Sequence, residues 1–240
     1  MRYLKILFTL PLLFCCGWGQ MSVHTGALPW SASTGGGGIT PVGTPTCSIQ
    51  GGTTVNVSYT PYAAGDVVVA GASGLYGYAG TVTVTDNKSG SYSQLVAPGY
   101  YNAGIFGTLS VASGVTQLTF SETSGTGSWD ICISEYSHSG TVHFGNASSG
   151  NGYWSGTYTS TLAMQDANNY LISVFSDNNF GTQPTPTATV GTLRAYNNAN
   201  NNGSIWIQDN TSTNAGSLST SGTTSPSATG WAASVELRSR

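Results

Sequence analysis

Charged side chains are scarce in this chain. Only 6% of its 240 residues are Asp, Glu, Lys or Arg, against roughly 25% in an ordinary globular protein. Basic residues are rarer than acidic ones, with six Lys and Arg against nine Asp and Glu. Binding to nucleic acid needs a basic surface patch, so this composition argues against a nucleic-acid partner and predicts a sparsely charged, mildly acidic exterior.

Long apolar runs are absent except at the N-terminus, where the layout is that of a secretory signal peptide. Arg2 and Lys5 precede an apolar run that ends near Cys16 and is followed by small residues. The run is shorter than the ~20 residues that a membrane-spanning helix needs. We therefore predict a signal peptide at residues 1–19 and a secreted or cell-surface protein with no transmembrane segment after its removal. Lipidation of Cys15 or Cys16 is the weaker alternative.

Cysteine is equally scarce, since only Cys47 and Cys132 remain beyond the signal peptide. In an oxidising compartment two cysteines favour one disulfide. The pair would close a loop of about 85 residues, which the chain-entropy model credits with roughly 4 kcal/mol. A free, reactive Cys132 is the competing interpretation.

Helix signals are nearly missing too, and period-two alternation takes their place. Residues 20–44 hold four consecutive glycines and two prolines and predict a flexible leader. From residue 45 onward, β-branched and aromatic runs alternate with Gly, Asn, Ser and Asp turns. "STLAMQDANNYL" has some helical composition, but a strand with a turn at 166–169 fits better. We predict one antiparallel β-sandwich over residues 45–238, jelly-roll-like, with about ten to twelve strands.

Several of these runs follow one another in a familiar order: "GDVVVAGASG", "TVTVTDNKSGSYSQL", "GTLSVASGVTQLTFSE", "ICISEYSHSG" and "GWAASVELRS". This succession resembles a loose group of exported, jelly-roll-like β-sandwich proteins of unassigned function from environmental bacteria. The resemblance covers residues 65–137 well and the last run weakly. It implies a fold, and no activity or site residue can be transferred from it.

The segment "DICISEYSHSG" concentrates side chains that catalysis uses, among them Asp130, Glu135 and His138. Strand alternation places Asp130 and Glu135 on opposite faces, so they cannot form the facing carboxylate pair of a glycosidase. His138 and His143 are the only histidines available as bases in the predicted domain, and no G-x-S-x-G elbow accompanies them. The sequence therefore leans away from an enzyme, and a secreted polysaccharide hydrolase stays open as an alternative.

The same alternation divides this segment into a core face and an opposite face. Ile131, Ile133 and Glu135 share one face, while Cys132 lies on the other and His138 falls in the turn that follows. Glu135 is then a carboxylate at the rim of the core, where it needs hydrogen-bond donors. Arg194 and loop amides are the candidates.

Metal-binding patterns are weak. There is no H-x-H, no H-E-x-x-H and no zinc-spaced cysteine cluster. Asp86-Asn87, Asp177-Asn178 and Asp209-Asn210 offer oxygen ligands of the kind calcium prefers, but Asp and Asn after a strand are more simply turn formers. We expect no cofactor, with structural calcium as the open alternative.

Aromatic residues among glycines are the most informative feature for function. They occur at Tyr76, Tyr78, Tyr100, Tyr101, Tyr153 and Trp154. Flat rings on loops can stack on sugars, although such rings also cap cores. The sequence thus favours a binding protein for polysaccharide or surface glycan. A structural, adhesive or appendage subunit that self-associates through sheet edges is the alternative class.

Overall fold

A computed structural model describes residues 38–74, 81–98, 103–123, 128–153, 155–177, 183–200 and 203–239. These residues form an all-β structure of sixteen strands, every pair of which is antiparallel. The strand count predicted from the sequence, ten to twelve, was therefore too low. The strands are β1 Ile39–Gly51, β2 Thr54–Ser58, β3 Val67–Gly74, β4 Val82–Asp86, β5 Ser91–Val96, β6 Ala103–Thr108, β7 Gln117–Glu122, β8 Ser128–His138, β9 Val142–Tyr153, β10 Thr157–Met164, β11 Tyr170–Asp177, β12 Thr185–Val190, β13 Thr192–Asn200, β14 Gly203–Thr211, β15 Gly216–Ser225 and β16 Gly230–Ser239.

The strands pair in three sheets, and the second half of the chain repeats the order of the first. The first eight strands form one sheet in the order β1-β8-β3-β6-β5-β4-β7-β2. The last eight form a five-stranded sheet, β13-β14-β11-β16-β9, and a three-stranded sheet, β10-β15-β12. Adding eight to each number in β1-β8-β3-β6 gives β9-β16-β11-β14, and β2-β7-β4 becomes β10-β15-β12.

The eight-stranded sheet folds over on itself around an apolar core. This first core joins Val55 and Val57 of β2 to Ile131 and Ile133 of β8, although these strands are far apart in the sheet order. β5 makes the fold possible because it pairs with β4 through Tyr92 and with β6 further along. Alternation on each strand then points one set of side chains into this core.

A second core lies between the two halves of the chain. It joins the other face of β3 and β8, including Val69 and Tyr136, to Ile172, Val174 and Ile207 of the five-stranded sheet. The central strands β3 and β8 are consequently buried on both faces. This explains why "GDVVVAGAS" is uniformly apolar or small instead of alternating.

A third apolar layer separates the five-stranded sheet from the three-stranded sheet. The rings of Tyr158, Phe175 and Trp206 contact one another there, with centroids 4.6 to 5.6 Å apart. Leu162, Met164 and Leu171 form a smaller cluster beside them. The sheets thus stack in layers, and their two outermost faces meet solvent.

Local features correct several sequence predictions. β1 begins at Ile39, so residues 39–44 belong to a strand and not to the predicted leader. His138 is the last residue of β8 and does not lie in the following turn. "ATVGTLRAY" is two strands, β12 and β13, because Gly191 between them has a φ of +87°. The strand preferred for "STLAMQ" is confirmed as β10.

The predicted disulfide between Cys47 and Cys132 is present, and it joins β1 to β8 at directly opposite positions. Residues 1–37, which hold the predicted signal peptide and most of the leader, lie outside the described residues. In the part of the chain that the structure describes, no helix is long and apolar enough to cross a membrane.

Candidate functional site

Glu135 is the carboxylate for which the sequence suggested a role, and the structure buries it. Its side chain is 3% exposed and lies opposite Val68 in the pairing of β8 with β3. The Tyr59 hydroxyl donates to Glu135 Oε2 at 2.7 Å, and the backbone N–H of Tyr62 donates at 2.9 Å. The predicted loop amides are therefore its donors. Arg194, the other predicted donor, binds a different carboxylate.

The surroundings of Glu135 act on its protonation in opposite directions. Burial raises the pKa of Glu135, while the Tyr62 amide, the Tyr59 hydroxyl and the Ala63 amide lower it, and a hydrogen bond with Asp66 raises it again. The net direction is upward. Burial and the neighbouring Glu135 also raise the pKa of the Tyr59 phenol. Residues of the loop 59–66 donate hydrogen bonds to both carboxylate oxygens, so Glu135 anchors that loop.

Glu236 occupies the corresponding position in the second half of the chain. It lies opposite Leu171 on β11, as Glu135 lies opposite Val68 on β3. Glu236 is fully buried. It accepts hydrogen bonds from the backbone N–H of Gln165 at 2.8 Å and from the side-chain Nδ2 of Asn169 at 2.6 Å. Two buried glutamates thus anchor two equivalent loops. Sequence reasoning singled out Glu135 but missed Glu236, although both follow a Trp on the last strand of their half.

Arg194 forms a buried ion pair with Asp209 across β13 and β14. Arg194 Nε donates to Asp209 Oδ2 at 2.6 Å and Nη2 donates to Oδ1 at 2.8 Å. Tyr136 also donates to Asp209, at 3.1 Å. Burial lowers the pKa of Arg194, but the carboxylate of Asp209 raises it by more, and the net direction is upward. This network links β8 of the first half to β14 of the second.

Asp130 is a buried carboxylate in a contrasting environment. It is fully buried on β8, and neither carboxylate oxygen has a hydrogen-bond partner. Ser73, directly opposite on β3, has an unpartnered hydroxyl as well. Burial raises the pKa of Asp130, and the charge of Asp177 raises it further. Asp130 is therefore a protonation-sensitive point in the layer between the two halves.

The Asp residues considered as alternative calcium ligands have other roles where the structure describes them. Asp86 Oδ1 accepts from the Lys88 and Gly90 amides, as a turn former does. Asp177 Oδ1 accepts from the Ser204 amide at 3.1 Å. Among the described residues, no three His, Cys, Asp or Glu side chains come together to hold a metal ion.

His138 is the histidine in the segment that holds the candidate catalytic residues. Its Nδ1 lies 2.6 Å from the Gly140 carbonyl oxygen, and its Nε2 lies 3.2 Å from the Gly65 carbonyl oxygen. A triad base needs one ring nitrogen facing a nucleophile. Both nitrogens of His138 instead face backbone carbonyl groups, so this arrangement ties the end of β8 to the start of β3.

Most of the aromatic residues predicted to bind a ligand lie outside the described residues. Tyr76, Tyr78, Tyr100, Tyr101 and Trp154 lie beyond the described residues, and Tyr153 is described only as the last residue of β9. The strand ends that flank them are described. Gly74 lies opposite Trp129, and Ala103 lies opposite Ser73, so residues 75–80 and 99–102 connect to the same end of the sheet.

The second half presents its corresponding strand ends on the same side of the molecule. Tyr153 and Asp177 both lie opposite Gly230, at one end of the five-stranded sheet. Tyr136 and Tyr170, at the other ends of β8 and β11, have ring centroids 5.6 Å apart. Gly74 of the first half and Asp177 of the second therefore point toward a common end of the molecule.

The exterior is far less charged than the composition suggests, because the acidic residues are inside. Eight of the nine Asp and Glu residues are buried, and Asp166 is the exception. Arg194 and Arg238 have side chains only 6% and 15% exposed. The expectation of a mildly acidic exterior is corrected: the described surface is close to uncharged.

Hydroxyl groups cover the two outermost sheet faces. On the three-stranded sheet, alternation turns Thr and Ser outward at every second residue while Tyr158 and Leu162 point inward. Neighbouring hydroxyls bond across the strands, as Thr161 and Ser219 do at 2.7 Å. The outward set is Thr157, Thr159, Thr161, Thr185, Thr187, Thr189, Ser217, Ser219, Ser221, Thr223 and Ser225. The opposite outer face carries Thr54, Asn56, Ser58, Thr83, Thr85, Gln117, Thr119 and Ser121.

Comparison with known proteins adds nothing to this geometry. No family model, curated protein or solved structure matches the chain. Function is therefore inferred from the chemistry of the chain's own residues.

Proposed function

We propose that this chain is a secreted or cell-surface binding protein whose partner is a neutral polysaccharide. The main support for this proposal is the charge distribution: eight of the nine carboxylates are buried, and both outer faces present hydroxyl groups. A surface without charge offers no electrostatic attraction to nucleic acid, anionic lipid or acidic glycans. Hydroxyls and amides suit a partner that itself presents hydroxyl groups.

The aromatic residues supply the stacking that sugar binding requires. Hydroxyl groups alone exchange one hydrogen bond to water for another, with little net gain. Rings add contact with the apolar faces of sugars. Support for their joint action comes from the strand ends flanking 75–80, 99–102 and residue 154, which all belong to one end of the molecule.

We propose a tandem jelly-roll-like sandwich as the finer description of the architecture. In a jelly roll, eight strands fall into two facing sheets joined by Greek-key connections. The orders β1-β8-β3-β6 and β2-β7-β4-β5 fit that scheme for the first half, and the second half repeats them except that β13, the counterpart of β5, pairs with β14 alone. The resemblance of residues 65–137 to exported jelly-roll-like proteins agrees with this proposal. The disulfide agrees with export, because such bonds persist in oxidising compartments.

Sedimentation with insoluble polysaccharides tests the proposed function. We expect the purified chain to bind at least one neutral polysaccharide, such as cellulose, chitin or a mixed-linkage glucan, and to ignore alginate and pectate. The double variants Tyr100→Ala/Tyr101→Ala and Tyr153→Ala/Trp154→Ala should weaken binding about tenfold or more, since each lost ring contact is worth roughly 0.5–1.5 kcal/mol.

Tyr62→Ala is the matched control. Tyr62 is 71% exposed, and it lies in the loop before β3, at the end of the molecule opposite to Gly74. The Tyr62→Ala variant should bind polysaccharide as the wild type does. A chain that binds no neutral polysaccharide in such a panel, or whose double variants bind normally, would contradict the proposal.

A structural or appendage subunit is the second candidate, and the same low exposed charge favours it. Proteins with a net surface charge near zero associate readily because mutual repulsion is weak. Two outer faces of the same chemistry on opposite sides would allow stacking in both directions. Sedimentation velocity across a concentration series separates the candidates: open-ended growth supports the subunit, and a constant small species supports the binding protein.

A further inference from the structure

Six strands form sheet edges in the part of the chain that the structure describes, and five of them are blunted. A strand at an edge carries N–H and C=O groups on its outer side with no strand to pair with. Proteins protect such a row with bulges, proline, short length or a covering side chain. The edges are β1 and β2 of the eight-stranded sheet, β9 and β13 of the five-stranded sheet, and β10 and β12 of the three-stranded sheet. The exception among them is β10.

Irregular register or short length blunts four of these edges. β1, β9 and β13 each shift register against their single sheet neighbour. A shift of this kind bends the strand and interrupts its row of hydrogen-bonding groups. β2 is five residues long, and the side-chain Nε2 of Gln50 donates to the carbonyl oxygen of Asn56 at 2.8 Å. None of the four therefore offers a long, regular outer row.

Proline blunts β12. On the central strand β15, the N–H of Thr224 donates to the carbonyl oxygen of Gly156 at 2.7 Å, on the β10 side. Pro186 lies opposite Thr224. Because Thr224 directs its backbone groups toward β10, those of Pro186 point away from β15 and off the sheet. Pro186 has no N–H to offer there, and β12 also shifts register after Ala188.

β10 has none of these protections. Its eight residues, Thr157–Met164, pair with β15 in one unbroken register. The bond from Thr224 to Gly156 fixes which backbone groups face β15, because their direction alternates along a strand. Tyr158 and every second residue after it therefore face β15. The outward set is Thr157, Thr159, Thr161 and Ala163.

The outer row of β10 is symmetrical and uncharged. The carbonyl oxygen of Ala163 accepts from Asn146 Nδ2 at 2.7 Å, which confirms the direction of the row and closes its end. The three positions before it, Thr157, Thr159 and Thr161, are exposed threonines. β10 contains no charged residue and no proline. The row reads the same in both directions about Thr159, as an interface between two identical strands requires.

We propose that the chain forms a closed dimer in which β10 of one copy pairs antiparallel with β10 of a second copy, about a twofold axis at Thr159. Thr157 then faces Thr161 of the partner subunit, and each facing pair exchanges N–H···O=C bonds in both directions. Every facing pair is Thr with Thr, which cross-strand contacts favour, and no like charges oppose the pairing. The hydroxyl-bearing faces of the two three-stranded sheets become continuous. The dimer uses a sheet edge and none of the loop aromatics, so it is independent of the proposed polysaccharide site.

Sedimentation equilibrium of the purified chain, with and without Thr159→Pro, tests the proposal. We expect the wild type to be a dimer in concentration-dependent equilibrium with the monomer. The variant should associate at least about tenfold more weakly, because the central pair loses its N–H in both copies. The pairing of β10 with β15 survives, since the missing N–H points off the sheet and edge positions tolerate proline.

Thr159→Lys is the second variant. It keeps the N–H but places two like charges directly opposite each other, so it should weaken the dimer as well. Asn56→Pro is the matched control on the blunted edge of β2. The N–H of Tyr59 bonds toward Thr116 on the β7 side, so the backbone of Asn56, three residues earlier, points outward. The Asn56→Pro chain should dimerise as the wild type does.

Amide hydrogen exchange at Thr157, Thr159 and Thr161 supplies an independent measurement. In the wild type it should slow as the chain concentration rises, because dimerisation covers these amides. The proposal is overturned by a wild type that sediments as a monomer at every concentration, or by a dimer that both Thr159 variants leave intact. Slow exchange of the three amides in a monomer would place another segment of the same chain on this edge, and would overturn it too.

Discussion

Asp130 and Asp209 are two carboxylates in the layer between the halves, and their surroundings are opposite. Asp209 receives two hydrogen bonds from Arg194 and one from Tyr136. Asp130 receives none. Burial raises the pKa of both carboxylates; Arg194 and Tyr136 lower that of Asp209, whereas the charge of Asp177 raises that of Asp130 further.

Replacing Asp130 by Asn should stabilise the protein near neutral pH. Burial and Asp177 raise the pKa of Asp130, so its native state is favoured below the unfolded pKa and is penalised as pH rises through the folded pKa. The amide has no charge to bury. Urea unfolding of both chains at several pH values should show a gap in the free energy of unfolding that widens as pH increases.

Asp209→Asn is the matched comparison with the opposite expected sign. It leaves the Arg194 guanidinium buried without its carboxylate, which should cost about 3–5 kcal/mol. If both variants changed stability in the same direction at neutral pH, the assignment of paired and unpaired carboxylates would be wrong.

At the residue scale, the sequence indicated the kind of partner for Glu135 but not its identity. Strand alternation placed Glu135 on a core face, and loop amides were among its expected donors. Arg194 was also an expected donor to Glu135. It binds Asp209 instead because β13 lies beside β14, which the sequence does not reveal. The buried state of most other carboxylates was equally hidden, since Asp and Glu are usually exposed.

At the element scale, the Ser- and Thr-rich strand β15 escaped prediction. The sequence "GSLSTSGTTS" of β15 lacks apolar alternation, yet its inward residues are buried. Its Thr220 donates to Ser173 at 2.8 Å, and Ser234 joins Ser173 at 2.7 Å and Ser160 at 2.5 Å. Hydroxyl groups that satisfy one another can enter a core at little cost. A search for apolar periodicity therefore has no signal to detect there.

The edge strand β1 depends on its disulfide. Within its own sheet β1 pairs with β8 alone, and Cys47 joins Cys132 at directly opposite positions. The double variant Cys47→Ser/Cys132→Ser should lower the free energy of unfolding by roughly 4 kcal/mol, because the unfolded chain regains the entropy of a long loop. Guanidinium unfolding measures the loss. Wild type unfolded with a reducing agent should match the variant, and equal stability of oxidised and reduced wild type would contradict the expectation.

At the scale of the whole molecule, two halves of eight strands pack through facing sheets. Gly71 of β3 lies close to Val174 of β11, since a Cβ at Gly71 would lie 2.5 Å from Val174 Cγ1. A glycine is needed here for proximity between the sheets and not for an unusual φ.

Gly71→Ala should therefore push the two halves apart. Overpacking of this kind costs typically 1–3 kcal/mol, and we expect thermal unfolding to begin at a lower temperature. Gly51→Ala is the control, because nothing lies within 4 Å of a Cβ at Gly51. Equal midpoints for the two variants would show that the sheets adjust without cost at Gly71.

The sequence by itself determined the all-β class, the period-two strands and the disulfide between Cys47 and Cys132. These depend on local alternation and on a cysteine count, which need no knowledge of neighbours. Only the tertiary structure decided which strands are adjacent, and hence the pairing of the two halves and the choice of Asp209 by Arg194. The tertiary structure also decided how much charge the exterior carries. Composition counts carboxylates, but burial depends on which strands cover them.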